Sequence, residues 1–186
     1  MLVLASASPR RREILQNAGI PFTVHAADIP EIPIPGEKPR AYAERLAQEK
    51  ALAVSRQKPN DWVLGADTIV VAENLILGKP SDNSDAVRML RLLAETTHKV
   101  ITAVCLIGPA SSSDSRTEST KVVMGKISDQ EIQDYIATGE PMDKAGAYAI
   151  QGRASRWISR IEGDYFNVVG LPVALVYRML QDHKVT

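Results

Sequence analysis

Leu2-Val3-Leu4-Ala5-Ser6-Ala7-Ser8-Pro9-Arg10-Arg11-Arg12-Glu13-Ile14-Leu15 is the stretch from which the fold can be read. Leu2 to Ala5 is an apolar run of strand length. Ser8 suits an N-cap, and Pro9 suits the first helical position, where its missing N–H costs nothing. Ile14, Leu15 and Ala18 give that helix an apolar stripe. A strand therefore ends, two hydroxyls follow, and a helix opens carrying three arginines. Arginine in a first turn opposes the helix dipole, so Arg10, Arg11 and Arg12 make sense if a polyanion such as a polyphosphate occupies that end. A solvated basic turn is the plainer alternative.

The bulk numbers narrow the field. At 186 residues, 45% apolar and 24% charged, the chain suits one globular domain over residues 1–186. Lys plus Arg equals Asp plus Glu, so there is no global basic field for duplex nucleic acid, and any anion site is local. Cys105 is the only cysteine, which excludes an internal disulfide and a thiolate zinc site. No apolar run reaches membrane-spanning length and no signal peptide precedes the first strand, so a cytoplasmic protein is expected.

Outward from the first helix, Phe22-Thr23-Val24 reads as a short strand, and residues 28–36 as a stiff, proline-rich loop holding Glu31. Residues 39–56 read as the longest helix, with Tyr42, Leu46, Glu49 and Ala53 on one face and Lys50 flanking the buried stripe. A lysine there most often snorkels. Residues 62–71 form a strongly apolar strand interrupted by Asp67, and Gly65-Ala66 before it leave room for a bulky group to approach. A carboxylate in such a strand is costly unless it is paired or bound to a metal. Pairing with a buried arginine or capping a helix would explain it; a catalytic or metal-binding role explains it better.

Leu75–Leu77 returns as a hairpin strand after a turn at Asn74, and Lys79 follows between Gly78 and Pro80, as a strand-end lysine or a phosphate clamp. Residues 82–93 form a helix and 98–107 a strand, at whose start His98 reads as a surface residue. Residues 109–115 read as a mobile hairpin tip and 121–125 as the returning strand. Ser128 to Glu131 is a capping box, and Gly139 closes its helix. Residues 143–153 are rich in Gly and Ala, permitting close approach of a ligand or a backbone. Pro172 starts the last helix, with Val173, Val176, Tyr177 and Leu180 inward. Strands and helices mix without strict alternation, so an α/β domain with a mixed, curved sheet and flanking helices is expected.

Two serines, two carboxylates and four cations stand in unusual settings: Ser6, Ser8, Arg10, Arg11, Glu31, Lys50, Asp67 and Lys79. No Ser-His-Asp or Cys-His arrangement accompanies them. Such parts suit metal-assisted phosphoanhydride hydrolysis.

Ser6-x-Ser8-Pro9-Arg10-Arg11, with Gly65-Ala66-Asp67-Thr68, Gly78-Lys79-Pro80, the stretch Ala145 to Gly152 and Val169-Gly170-Leu171-Pro172, resembles the Maf family of nucleoside triphosphate pyrophosphatases. The resemblance spans nearly the whole chain. It implies a Maf/ITPase-like fold with two lobes around a nucleotide cleft. It implies that Ser6, Ser8, Arg11, Lys50 and Lys79 hold phosphates. It implies too that Glu31 and Asp67 hold Mg²⁺ or Mn²⁺, and that Asp67, directly or through the metal, activates water for attack at the α-phosphorus. Within the family, Arg10, Thr68 and Gln151 resemble the branch acting on dTTP and UTP. The 7-methyl-GTP branch tends to carry Trp, Gln and Glu at those places. A neutral Gln offers the donor and acceptor that a thymine or uracil edge needs. The implied partner is a nucleotide, with no nucleic acid and no membrane; a homodimer is compatible with it. Two rivals are a non-catalytic nucleotide-binding regulator of cell division, since Maf proteins are associated with inhibition of septum formation, and a nucleotidyltransferase.

Overall fold

The computed structural model describes residues 1–109 and 112–185. Strand β1 (Leu2–Leu4) is wholly buried, and parallel neighbours flank it, β2 (Thr23–Val24) and β3 (Trp62–Ala72). Val3 lies opposite both Thr23 and Val63. A strand covered this way needs an unbroken apolar run. Helix α1 (Pro9–Asn17) then starts as its sequence dictates, with Ser8 Oγ accepting from the Arg11 N–H at 3.4 Å. Ile14 and Leu15 are buried, but Ala18 is an exposed C-cap; Arg11 completes the buried face instead.

Helix α2 (Pro39–Ser55) buries Tyr42, Ala43, Leu46, Ala47, Lys50, Ala51 and Val54. Lys50 thus belongs to the stripe rather than flanking it. Strand β4 (Leu75–Leu77) pairs antiparallel with β3 through a two-residue turn, in which Glu73 and Asn74 both have positive φ. That is the type I′ geometry whose twist suits a tight hairpin. Helix α3 (Asn83–Leu93) is capped by Asp82 and leads into β5 (Thr97–Ile107) and β6 (Ser113–Met124). The expected hairpin tip is shorter than its composition implies. Ala110 and Ser111 lie outside the described residues, and Ser113 to Ser115 already belong to β6. Within that stretch Asp114 pairs with Arg116 at 2.8 Å and lies 3.1 Å from His183 Nε2.

Helix α4 (Asp129–Ile136) opens on the reciprocal Ser128–Glu131 capping box, and Gly139 follows in the left-handed conformation. Strand β7 (Ile158–Glu162) pairs antiparallel with β6, and α5 (Tyr165–Val169) and α6 (Val173–Asp182) end the chain. Within α6, Leu175, Val176, Met179 and Leu180 face inward, whereas Tyr177 is exposed. The strands form a mixed seven-stranded sheet in the order β2-β1-β3-β5-β6-β7, with β4 on β3. Among the described residues no helix is long and apolar enough to cross a membrane.

The chain makes two compact units. One comprises Met1–Thr68, Thr102–Glu118 and the residues from Gly170 onward; the other comprises Ile69–Ile101 and Ser119–Val169. The second unit has a core of Leu90, Leu93, Val122, Ile132, Tyr135 and their neighbours. His98 lies in that unit and corrects the surface expectation. It is 1% exposed, with Nε2 at 2.7 Å from the Tyr148 hydroxyl and the rings in edge-on contact. Position near the start of a strand does not decide exposure; Tyr148 packs against this side chain.

Burial drops the His98 pKa to about 4, so the imidazole is neutral in the fold. The unfolded chain takes up a proton near pH 6.5 while the folded chain does so only near 4. Stability from this group is therefore present above pH 6.5 and lost as pH falls toward 4, by roughly 3 kcal/mol. Urea denaturation from pH 7 to pH 4 should show that slope in the native protein, and His98→Gln should flatten it. An unchanged slope in the variant would contradict the assignment.

Candidate active site

Two networks of candidate site residues lie in the first unit, and the first begins with a close approach of backbones. A Cβ on Gly65 would stand 2.2 Å from the Ala47 carbonyl oxygen and 2.7 Å from the Ala51 nitrogen. No side chain fits there. The room expected at Gly65 for a ligand is filled by helix α2 itself. Because α2 touches the bare backbone of β3, Lys50 on the helix reaches Asp67 on the strand.

Lys50 Nζ donates to Asp67 Oδ1 at 2.6 Å and lies 2.6 Å from Glu31 Oε1. Two oxygens at that distance from one nitrogen are no further apart than twice it, so both carboxylates converge on one point. The Lys50 and Asp67 side chains are buried, while Glu31 is half exposed on its loop. Burial pushes the Asp67 carboxyl above the usual aspartate range, with Lys50 and Arg11 pulling it partly back and Glu31 adding to the rise. A carboxylate tuned that way has a greater affinity for a proton than one in water. Tyr42 donates to the Glu31 carbonyl at 3.3 Å, and Arg45 Nη2 donates to the Ile32 carbonyl at 3.0 Å. Arg45 also grips Glu37 with two bonds of 2.8 Å, so the chain is tied to α2 at Glu31 and again after it, at Ile32 and Glu37.

A second network surrounds Arg11, which is buried. Its Nε donates to the Gly170 carbonyl at 2.9 Å, Nη1 to Ser6 Oγ at 3.1 Å and Nη2 to Thr68 Oγ1 at 3.1 Å. A guanidinium has five N–H bonds, so two remain after these three. Burial lowers the Arg11 pKa, and the charges of Asp67 and Glu31 oppose that fall. Ser6 Oγ also accepts from the Ser8 N–H at 3.2 Å, fixing the turn into α1. Thr68 Oγ1 shares a 3.0 Å bond with Thr102 and donates to Gly170 at 3.2 Å. With Arg11 on its other lone pair, that hydroxyl is saturated.

The structure thus joins Ser6, Ser8, Arg11 and Thr68 in one network and Glu31, Lys50 and Asp67 in another. Arg10 is half buried on α1 beside Arg11. Lys79 and Gln151 belong to the second unit, Lys79 exposed after β4 and Gln151 exposed in a turn. Sequence reasoning missed Thr102 and the Gly170 carbonyl. Gly170 has φ +129, a region that L side chains rarely adopt, and that conformation accompanies the carbonyl bonded by Arg11 and Thr68. The stretch Val169-Gly170-Leu171-Pro172 carried the signal, but a glycine's carbonyl has no side chain to mark its role.

Among the described residues no group of three or more His, Cys, Asp or Glu could hold a metal ion. Two converging carboxylates suit a hard divalent cation that takes its other ligands from phosphate oxygens and water, as Mg²⁺ commonly does.

A family model described as Maf-like protein matches residues 1–183. The chain is 59% identical over 180 residues to a dTTP/UTP pyrophosphatase of Koribacter versatilis, covering 97% of this chain and 93% of that one. It is 51% identical over 181 residues to a dTTP/UTP pyrophosphatase of Geobacter metallireducens, covering 97% and 94%. Among solved structures, the Staphylococcus aureus Ham1 protein shares the fold, with a TM-score of 0.53 at 13% identity over 98% of both chains.

Proposed function

The chain belongs to the Maf-like protein family, and on that premise we propose that it hydrolyses nucleoside triphosphates, dTTP and UTP foremost, to the monophosphate and pyrophosphate. The observation that carries the reading is the buried Lys50–Asp67 pair with Glu31 on the same ammonium. Asp67 takes the proton of the water that attacks the α-phosphorus. Lys50 holds that carboxylate in place and, with Arg11, neutralises charge that builds on phosphate oxygens. Arg11 offers its two remaining N–H bonds, and Ser8 marks a helix N-terminus suited to an oxyanion. Lys79 adds a further cation for the polyphosphate.

Glu31 and Asp67 would hold Mg²⁺ or Mn²⁺, which supplies charge neutralisation at the phosphates when bound. Thr68 serves by fixing Arg11, which leaves the base to Arg10 and Gln151. The cytoplasm is where we place this activity.

Pyrophosphate release should be measured from dTTP, UTP, CTP, GTP and 7-methyl-GTP with water as the only acceptor. The expected result is the highest kcat/KM for dTTP and UTP. No pyrophosphate from any of them would leave a binding protein, and release only with an added alcohol acceptor would indicate a nucleotidyltransferase. A lead for 7-methyl-GTP would refute the base assignment.

A further inference from the structure

Gln151 sits at the tip of a turn that closes with the Gly152 N–H on the Ala149 carbonyl at 3.0 Å. The residues on both sides of that tip are held by two side chains that the family motifs do not include. The Tyr135 hydroxyl accepts from the Ala149 N–H at 3.3 Å and donates to Glu140 Oε1 at 2.8 Å. The same Glu140 oxygen accepts from the Arg153 N–H at 3.1 Å. One chain of hydrogen bonds therefore runs from Ala149 through Tyr135 and Glu140 to Arg153, bracketing Gln151.

Each part of this clamp is itself fixed. Tyr135 is 1% exposed, stacks edge-on against Trp157, and burial raises its pKa, so its hydroxyl keeps its proton. Trp157 in turn donates to Glu131 at 3.2 Å. The Glu140 N–H donates to Thr138 Oγ1 at 3.2 Å. The carboxylate is seated so tightly that a Cβ on Gly152 would stand 2.0 Å from Glu140 Oε1. The φ of Gly152 is −100°, which any residue can adopt, so only the carboxylate requires glycine here.

We propose that Tyr135 and Glu140 are positioning residues that set which base the enzyme prefers, by fixing the turn that presents Gln151. The inference rests on the reading of Gln151 as a base-recognition residue. A side chain amide discriminates between base edges only while its donor and acceptor stay in register, so a loosened turn costs selectivity before it costs chemistry.

The test is the ratio of kcat/KM for dTTP to that for CTP, measured on the full chain with Mg²⁺ present. Tyr135→Phe keeps the ring and loses the hydroxyl; Glu140→Ala loses the carboxylate. Both should lower the ratio by about tenfold, the scale of a small misplacement in a site. Glu140→Gln keeps an oxygen that can accept from Tyr135 and Arg153, and should hold the ratio close to the native one. Gly152→Ala should lower the ratio in the native background and add little to Glu140→Ala, because the collision partner is gone. Amide hydrogen exchange gives an activity-free readout: the Ala149 N–H should exchange faster in Tyr135→Phe and the Arg153 N–H faster in Glu140→Ala.

A uniform fall in kcat/KM for every triphosphate, with the ratio unmoved, would overturn the proposal. Gln151→Ala separates the two ways of failing. If it shifts the ratio and the clamp variants do not, the clamp alone is wrong. If Gln151→Ala leaves the ratio unchanged, the role of Gln151 falls and the clamp's with it.

Discussion

Asp67→Asn should lower kcat for dTTP by about 10²-fold or more, the scale of a lost general base. The substitution keeps the shape and a hydrogen-bond acceptor for Lys50 but removes the group that takes the proton. It should not unfold the protein, because Lys50 keeps Glu31 as its anion at 2.6 Å. Removing both anions is different. Asp67→Asn combined with Glu31→Gln strands a buried ammonium, and that penalty is about 3–5 kcal/mol. Urea denaturation should therefore show a double mutant far less stable than the sum of the singles. Adding Lys50→Met should restore most of that stability without restoring turnover. Near-native turnover in Asp67→Asn would remove Asp67 from the chemistry.

Arg11→Ala should be the next most damaging change, and it should strike both fold and activity. It leaves the Gly170 carbonyl, Ser6 Oγ and Thr68 Oγ1 each short of a donor. About 2–3 kcal/mol of stability should be lost, the order expected for breaking buried charged hydrogen bonds. kcat/KM should fall by about 10²-fold for every triphosphate alike, because the loss is in phosphate stabilisation. Arg11→Lys keeps the charge but offers a single point of donation in place of a fork. It should recover little activity. Full recovery with lysine would mean that charge alone matters and that the three protein bonds are incidental.

The parts of this site that were legible in the sequence are those whose signal is local. Ser8 and Pro9 announced a helix start, and Ser128 with Glu131 announced another, because a cap is made by neighbours in the chain. Asp67 was legible because a carboxylate inside an apolar strand contradicts its surroundings. What the sequence hid were the partners. Lys50 looked like a snorkelling lysine because nothing local shows that Gly65 lets α2 come close enough for it to meet Asp67. The Gly170 carbonyl is 159 residues from the arginine it receives. His98 looked exposed because its cover, Tyr148, is 50 residues away. The start of β6 was hidden differently: Ser113, Asp114 and Ser115 have the composition of a loop, and they stand in the strand all the same.

Lys50, held between Glu31 and Asp67, is a counter-ion written into the chain. Two carboxylates facing each other with nothing between them would repel, and one would take a proton. Here the neutralising charge arrives with folding and cannot be diluted or dialysed away. The architecture of this corner is thus independent of the supply of small ions, whatever the chemistry demands of them. A chelator should behave as a reversible inhibitor rather than a denaturant: EDTA should abolish pyrophosphate release and leave the thermal midpoint where it was.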